Sequence, residues 1–523
     1  MKDFKSKILD YYSLTDKEYD DLAKELSIND LPDFLGYDNI EVCANYLREK
    51  VRSKAKILIY GDYDCDGIMS TSIIYLTLKT NDFTPGFYIP YRETDGYGLT
   101  KNNIDRFYNL GYRVLVLVDN GITLVDEVEY ANSLGMEVVI MDHHTREDVL
   151  PNAKFILHPI ISNFSKINMS AGSLAFFFSE AYLGFTDEYL LVLGMISTIS
   201  DLMPLNDKNR IIAKLGIASL NKNKYKNICL LIKKEYGPIT ERDISMTVAP
   251  KINAIGRIVN DSHLFDIVRY FVNFSDTEFI SKTSLWINNV NLSRKQMVSD
   301  LIKDNEKIDD SNNSIIIVLG NDVKEGLTGL LASRFMDEFN KPTVVLIEEH
   351  NNPNIYKGSL RSRNGFNINI ILDDLKDILL TYGGHENAGG LSLNKSDYSV
   401  FKERFEKAAS KHPFVEVNEK YININLSEIT KENYDVIDKL SPFGQGFQAP
   451  NFEIKEVKTN FLQKSRDGKH LITKINPNSS IVYFNYDKTI FDYEFVNLVG
   501  QLSLNYYRGY INAQFIVSMF SKK

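Results

Sequence analysis

The sequence lacks the means to cross-link itself. Three cysteines, Cys43, Cys65 and Cys229, are scattered over 523 residues without a pairing pattern. A disulfide framework is excluded and a reducing compartment is expected. Long apolar runs are missing as well, so no segment has the length of a membrane-spanning helix. Met1-Lys2-Asp3-Phe4-Lys5-Ser6-Lys7 shows no signal-peptide pattern, which makes the cytosol the expected location. Positive charge is not in excess: the formal net charge is −9. That excludes a global field drawing in nucleic acid, and an anionic partner would need local basic patches. Internal repeats and low-complexity blocks are absent. The chain is too long for a single core, and three or four domains are expected.

What is present is a recurring pattern of apolar runs that end in acid. Ile57-Leu58-Ile59-Tyr60 runs into Gly61-Asp62-Tyr63-Asp64-Cys65-Asp66-Gly67. Val114 to Val118 ends at Asp119-Asn120-Gly121, and Val138 to Met141 at Asp142-His143-His144. Leu191 to Ser200 ends at Asp201 and reads as a fourth strand. In open parallel sheets, ligands bind beyond the carboxyl ends of the strands. Four acidic termini meeting there would form a pocket of oxygen and imidazole ligands. Asp64 and Asp66 lie two apart, so on an extended strand end they face the same way. One such aspartate would most simply cap a helix. The set of Asp64, Asp66, Asp119, His143 and Asp201 points instead to a divalent cation. Hard oxygens with imidazole suit Mn²⁺ or Mg²⁺ rather than zinc, and Cys65 faces away on alternation. His143 and His144 diverge as neighbours, so one can bind metal while the other faces substrate.

The expected fold class is α/β with a parallel sheet. A helical segment over 1–45 leads into alternating strands and helices over 46–275. One long polar helix over 276–310 connects to a smaller α/β unit over 311–413. Short alternating stretches over 414–523 suggest a small β-barrel. In that tail, Tyr483, Phe484, Tyr486, Tyr506, Tyr507 and Tyr510 stand near Arg508. They suit base stacking and equally suit core positions. Lys222, Lys224, Lys226, Lys233 and Lys234 read most simply as a solvated helix face.

The four acidic segments, with Ser200-Asp201-Leu202-Met203-Pro204-Leu205, resemble the motifs of the DHH phosphoesterase superfamily. Tyr88-Ile89-Pro90-Tyr91-Arg92-Glu93-Thr94-Asp95-Gly96-Tyr97-Gly98-Leu99 is similar to a segment of its RecJ-type single-strand exonucleases. So are Pro250-Lys251-Ile252-Asn253-Ala254-Ile255-Gly256-Arg257 and Pro442-Phe443-Gly444-Gln445-Gly446. Gly383-Gly384-His385-Glu386-Asn387-Ala388-Gly389-Gly390 resembles the Gly-Gly-His signature of the DHHA1 domain. The resemblance implies a parallel-sheet DHH domain, a DHHA1 domain and a C-terminal OB-like barrel. It implies two ions, Mn²⁺ or Mg²⁺, held by Asp64, Asp66, Asp119, His143 and Asp201 with Asp62 in support, and His144 on a phosphate oxygen. It implies 5′→3′ cleavage of single-stranded DNA. Arg92 and Arg257 would anchor the 5′ phosphate, where arginine grips bidentately. Asn253, Arg361, Ser362, Arg363, Gly384 and His385 would complete the substrate contacts. A helicase or single-strand-binding protein is the implied partner, and the chain a monomer. Two other readings stay open: a phosphodiesterase for nano-RNA or cyclic dinucleotides, and a non-enzymatic replication scaffold. The chain departs from the pattern at Glu325, where histidine is frequent, at Gly389, where alanine is usual, and at His158-Pro159, where Asn-Pro is more frequent.

Overall fold

The computed structural model describes residues 3–96, 98–305, 311–350, 352–415 and 419–522. Tyr97 and residues 306–310, the end of the expected connector, lie outside the described residues. The first sheet is built from β1 (Ile57–Tyr60), β2 (Gly86–Tyr88), β3 (Val114–Val118), β4 (Glu137–Met141) and β5 (Phe155–Leu157). All neighbours are parallel, in the order β2-β1-β3-β4-β5. The apolar runs are continuous because both faces are covered. Ile57, Ile59, Val116 and Val139 pack into one core, and Leu58, Tyr60, Leu117 and Ile140 into another. The order reverses between β1 and β3, which opens a crevice at their carboxyl ends.

The fourth expected strand is a helix. Glu188–Ser200 is α-helical, and Asp201 is its C-cap. Tyr189 to Ile199 is buried on all sides against two other buried helices, Cys65–Leu78 and Ala171–Leu183. A helix without a wet face has no 3.6-residue alternation to read, and its many β-branched residues imitate a strand.

The connector is a 28-residue helix, Thr277–Asp304. The second sheet follows, with β6 (Ile315–Leu319), β7 (Thr343–Glu349), β8 (Asn352–Arg361), β9 (Thr381–His385) and β10 (Ala388–Asn394) in the order β6-β7-β8-β10-β9. The third holds β11 (Ile422–Asn423), β12 (Phe452–Lys458), β13 (Leu471–Asn476), β14 (Ser479–Tyr483), β15 (Phe495–Tyr507) and β16 (Tyr510–Lys522). Its order is β11-β12-β15-β16-β14-β13, around one core.

Two features tie distant segments together. The helices Phe4–Tyr12 and Asp16–Ala23 join the core of the third sheet rather than the first. Phe4 stacks on Phe452 at 5.9 Å, and Lys7 pairs with Glu428 at 2.7 Å. The following helix, Ile40–Arg52, belongs to the first domain and spans the expected division at residue 45. Arg210, 8 % exposed, donates to the carbonyls of Pro442 at 3.0 Å and Leu440 at 2.5 Å, and lies 4.7 Å from the Phe447 ring. Leu205 N–H bonds Gln445 O at 2.7 Å. The Pro442–Gly446 segment thus clamps the chain that follows Asp201. Arg210→Ala would orphan those buried carbonyls and is expected to cost about 2–3 kcal/mol. A thermal melt unchanged within a degree would refute that role.

Candidate metal centre

The end of β1 turns directly into a helix. Asp64 is the N-cap of Cys65–Leu78, its Oδ1 accepting from Gly67 N–H at 3.0 Å. A Cβ on Gly67 would sit 2.5 Å from the Asp62 carbonyl, so the approach requires glycine. Asp64 therefore caps a helix and Asp66 lies in its first turn, rather than both standing on an extended strand end. Asn253 Oδ1 accepts from Cys65 N–H at 2.7 Å and pins this turn; that bond makes Asn253 a positioning residue. Asp66 is buried and accepts from Ala171 N–H and Gly172 N–H, each at 2.8 Å, and from Ser197 Oγ at 2.5 Å. The N-terminus of Ala171–Leu183 thus favours its charge.

Asp119 follows β3 with φ +62°, a conformation aspartate tolerates better than most residues. Its Oδ1 lies 3.1 Å from His143 Nε2. The same Nε2 lies 3.5 Å from Asp66 Oδ2 and 3.6 Å from Asp201 Oδ2. Residues that reached one another from four separate segments thus converge. Their ligand atoms form three groups within 4.8 Å: Asp62, Asp64 and Asp119; Asp66, His143 and Asp201; Asp119, His143 and His144.

The electrostatics suit a cation. Burial, then the neighbouring Asp64, pushes Asp62 up to about 7 and Asp66 up to about 6. Burial, then Asp66 and Asp64, raises Asp201 to about 9. Asp119 is raised well above the usual range by burial and by the carboxylates around it. Asp201 Oδ2 is buried without a hydrogen-bond partner. An orphaned carboxylate oxygen among like charges, with imidazole beside it, fits Mn²⁺ or Mg²⁺. Burial pushes the Cys65 thiol up, away from thiolate ligation.

Sequence reasoning gave Asp142 no role, yet it orders both histidines. Its Oδ1 accepts from His143 N–H at 2.7 Å and from His144 Nδ1 at 2.8 Å, and its Oδ2 from Ile122 N–H at 2.9 Å. Burial opposes charge on His144, but the Asp142 bond lifts it to about 9. Half exposed and cationic at neutral pH, His144 is suited to an anionic oxygen. His143 goes the other way, to about 3, through burial and then its neighbour His144. The departure at His158 is structural. Its Nδ1 accepts from Ile160 N–H at 3.2 Å, so Nε2 carries the proton and donates to the His144 carbonyl at 3.1 Å.

Three arginines flank this centre. Arg92 lies 4.1 Å over the Tyr63 ring, and its Nε is buried without a partner. Arg257 donates to Gly326 O at 3.0 Å; burial, then Arg92, Arg361 and Arg294, lowers it to about 10. A Cβ on Gly326 would sit 2.5 Å from the Arg257 carbonyl, so the second domain docks here at backbone distance. Lys324 pairs with Glu93 across the same seam at 3.2 Å. Arg361 ends β8 and packs against Gly329. Among the described residues, Arg92, Arg257 and Arg361 form no ion pair. A cluster of unneutralised guanidinium groups beside a carboxylate–imidazole centre has the chemistry to grip a phosphate.

Family models match the chain in three places: the DHH family N-terminal domain over 56–202, the DHHA1 domain over 312–411 and the RecJ OB domain over 422–519. The chain belongs to the RecJ branch of the DHH family. It is 31% identical over 494 residues to the single-stranded-DNA-specific exonuclease RecJ of Bacillus subtilis, covering 90% of this chain and 62% of that protein. It is 26% identical to RecJ of Escherichia coli, covering 94% and 92%. The fold matches the crystal structure of Thermus thermophilus RecJ in complex with Mn²⁺ at a TM-score of 0.84 and 21% identity, over 99% of this chain and 76% of that one. The third sheet is accordingly the RecJ OB domain, and the helices Phe4–Tyr12 and Asp16–Ala23 clad it.

Not every expected contact gathers in the RecJ cleft. Arg363 pairs with Asp337 at 2.6 Å and with Asn340 at 3.1 Å, outside the arginine group. β8 ends at Arg361, and the turn after it aims Arg363 elsewhere. Ser362 is buried in the same turn. Its Oγ donates to Phe366 O at 2.8 Å, holding that turn closed. Gly384, with φ +151°, opposes Gly389 in the β9–β10 hairpin. Its neighbour His385 is exposed and close enough to act electrostatically on His143, so the hairpin faces the metal centre. Glu325 pairs with Lys357 at 3.1 Å rather than entering the centre.

Proposed function

We propose that the chain is a metal-dependent exonuclease that shortens single-stranded DNA from its 5′ end and releases 5′ mononucleotides. The observation that carries this is the contiguity of two things. A carboxylate–imidazole centre made for divalent ions abuts three unpaired arginines made for a terminal phosphate. The names of the relatives supply the single-stranded DNA; Mn²⁺ or Mg²⁺ follows from the donor set and from the Thermus thermophilus relative.

Asp62, Asp64 and Asp119 would hold one ion, and Asp66, His143 and Asp201 the other. When bound, such ions supply a deprotonated water and Lewis acidity at the scissile phosphate. The chain does the rest. His144, kept cationic by Asp142, donates to a non-bridging phosphate oxygen. Arg92 and Arg257 grip the 5′ phosphate, which sets the distance from the strand end to the centre and so the length of the product. Arg361 closes over the same pocket from the second domain. DNA repair and recombination are the fitting setting. The chain would act as a cytoplasmic monomer on strands supplied by a helicase or single-strand-binding protein. Among the described residues no helix is long and apolar enough to cross a membrane.

Strands labelled at the 5′ or the 3′ end, digested with Mn²⁺ or Mg²⁺, test the reading. Early loss of the 5′ label as mononucleotide is expected; early loss of the 3′ label refutes it. A wild-type preference for 5′-phosphate over 5′-hydroxyl ends is also expected. Charge-assisted hydrogen bonds of about 1.5–3 kcal/mol set the size of that preference at roughly 10–100-fold. Arg92→Ala should erase most of it. An undiminished preference would remove Arg92 from the pocket.

A further inference from the structure

A second basic cleft lies next to the arginine group. The connector helix Thr277–Asp304 and the helix Thr328–Phe339 flank an open cleft of about 830 Å³. Arg294, Lys295 and Lys303 line it from the first helix and Arg334 from the second. Asp337 and Glu338 stand on the same wall. Asp337 is engaged by Arg363. Among the described residues none of the four cations forms an ion pair. In a chain of net charge −9 this is a local reversal of sign.

One observation separates this cleft from an ordinary solvated surface. Arg294 donates one guanidinium nitrogen to Asn291 Oδ1 at 2.8 Å, but its Nε is buried and unpartnered. A buried cationic donor without an acceptor is costly, and it leaves Arg294 a guanidinium at the cleft whose charge no carboxylate of the described residues neutralises. Arg294 is also within electrostatic reach of both Arg257 and Arg334. The positive series therefore runs from the phosphate pocket, through Arg294, into the cleft. Lys295 continues it to Lys251 and Lys233, two further cations that act on one another.

We propose that this cleft is a second anion site, which takes the phosphates of a nucleoside 5′-phosphate adjoining the arginine group. Its volume suits one nucleotide with its phosphates. That the anion is a nucleotide rests on the proposed exonuclease reaction; that the cleft binds an anion does not. The nucleotide has two sources: the released mononucleotide, or additional phosphates on the 5′ end of the strand.

The test reverses charge at two exposed positions, Arg334→Glu with Lys303→Glu. Deoxyadenosine 5′-triphosphate is the probe, and its binding is measured without divalent metal. This readout is independent of hydrolysis, so it stands even if the nuclease reading fails. Affinity at least tenfold weaker in the double variant is expected; equal affinity overturns the site. Two kinetic arms then identify the source. Added deoxyadenosine 5′-monophosphate should inhibit digestion less in the variant if the product occupies the cleft. The ratio of rates on 5′-triphosphate and 5′-monophosphate strands should fall about tenfold if the strand end does. Either kinetic result names the occupant of a site that the weaker affinity has established, and equal affinity overturns the site whatever the kinetic arms show.

Discussion

Asp119→Asn is expected to abolish metal-dependent hydrolysis, by more than about a thousandfold, and at the same time to stabilise the metal-free protein. The two effects have one cause. Asp119 is shared by two of the three candidate ligand groups, and its Oδ1 lies 3.1 Å from His143 Nε2. Removing its charge takes a ligand from the ion it would hold with Asp62 and Asp64 and disturbs its contact with His143, a ligand of the other. In the metal-free state that charge is a burden: burial and the carboxylates around it raise Asp119 well above the normal range. Asparagine keeps the shape and tolerates the positive φ of this position, so the fold should survive. It also no longer has to repel Asp62, Asp64, Asp66 and Asp201. Calorimetry without metal should therefore show a higher melting temperature, by roughly 2–4 °C for each kcal/mol relieved. Binding of single-stranded DNA should persist, because the arginines are untouched. A variant that still cleaves with added Mn²⁺ would sink the centre. A variant that melts lower would sink the account of its electrostatics.

Much of this centre was legible because it is written at strand ends. The runs Ile57–Tyr60, Val114–Val118 and Glu137–Met141 are β-branched, short and bounded by turns, and the acids follow each directly. Parallel order then places Asp62, Asp119 and His143 at one edge, at the reversal between β1 and β3. Asp201 was found as a ligand for the wrong reason. The run before it is a helix with no exposed face, and periodicity cannot distinguish that from a buried strand. The helices Phe4–Tyr12 and Asp16–Ala23 gave no sign that they would reach Phe452, because a contact spanning most of the chain leaves no local pattern. Arg361 and Arg363 look equivalent in sequence, but the strand ends between them, so Arg361 stands with Arg257 while Arg363 pairs with Asp337. Asp142 was hidden by its neighbours. A carboxylate next to two histidines is overshadowed by them in the sequence, whereas its hydrogen bonds show it orienting them.

The second large effect is the pH dependence of metal stabilisation. The sign follows from the raised carboxylates. Asp66, Asp62 and Asp201 hold their protons in the metal-free fold up to about 6, 7 and 9. In the unfolded chain they release them near 4. Their contribution to stability is thus full below about pH 4 and is lost as pH rises through those values, at about 1.4 kcal/mol per pH unit for each proton. His144, held up to about 9, has the same sign: its contribution is present below its unfolded value and lost as pH rises. His143, lowered to about 3, opposes them, losing stability as pH falls from about 6.5. Divalent ions compete with the carboxylate protons, so their apparent affinity should rise over the window in which the metal-free fold weakens. Metal-free protein should melt progressively lower from pH 5.5 to 8.5, while saturated protein changes little. With an ion at about a thousand times its Kd, one site contributes roughly 4 kcal/mol, or about 8–16 °C for a domain of 150–250 residues. Melting curves for the DHH domain, with chelator and with Mn²⁺, would measure the gap at each pH. A gap that stays constant, or narrows as pH rises, would mean that these carboxylates do not carry the protons the ions displace.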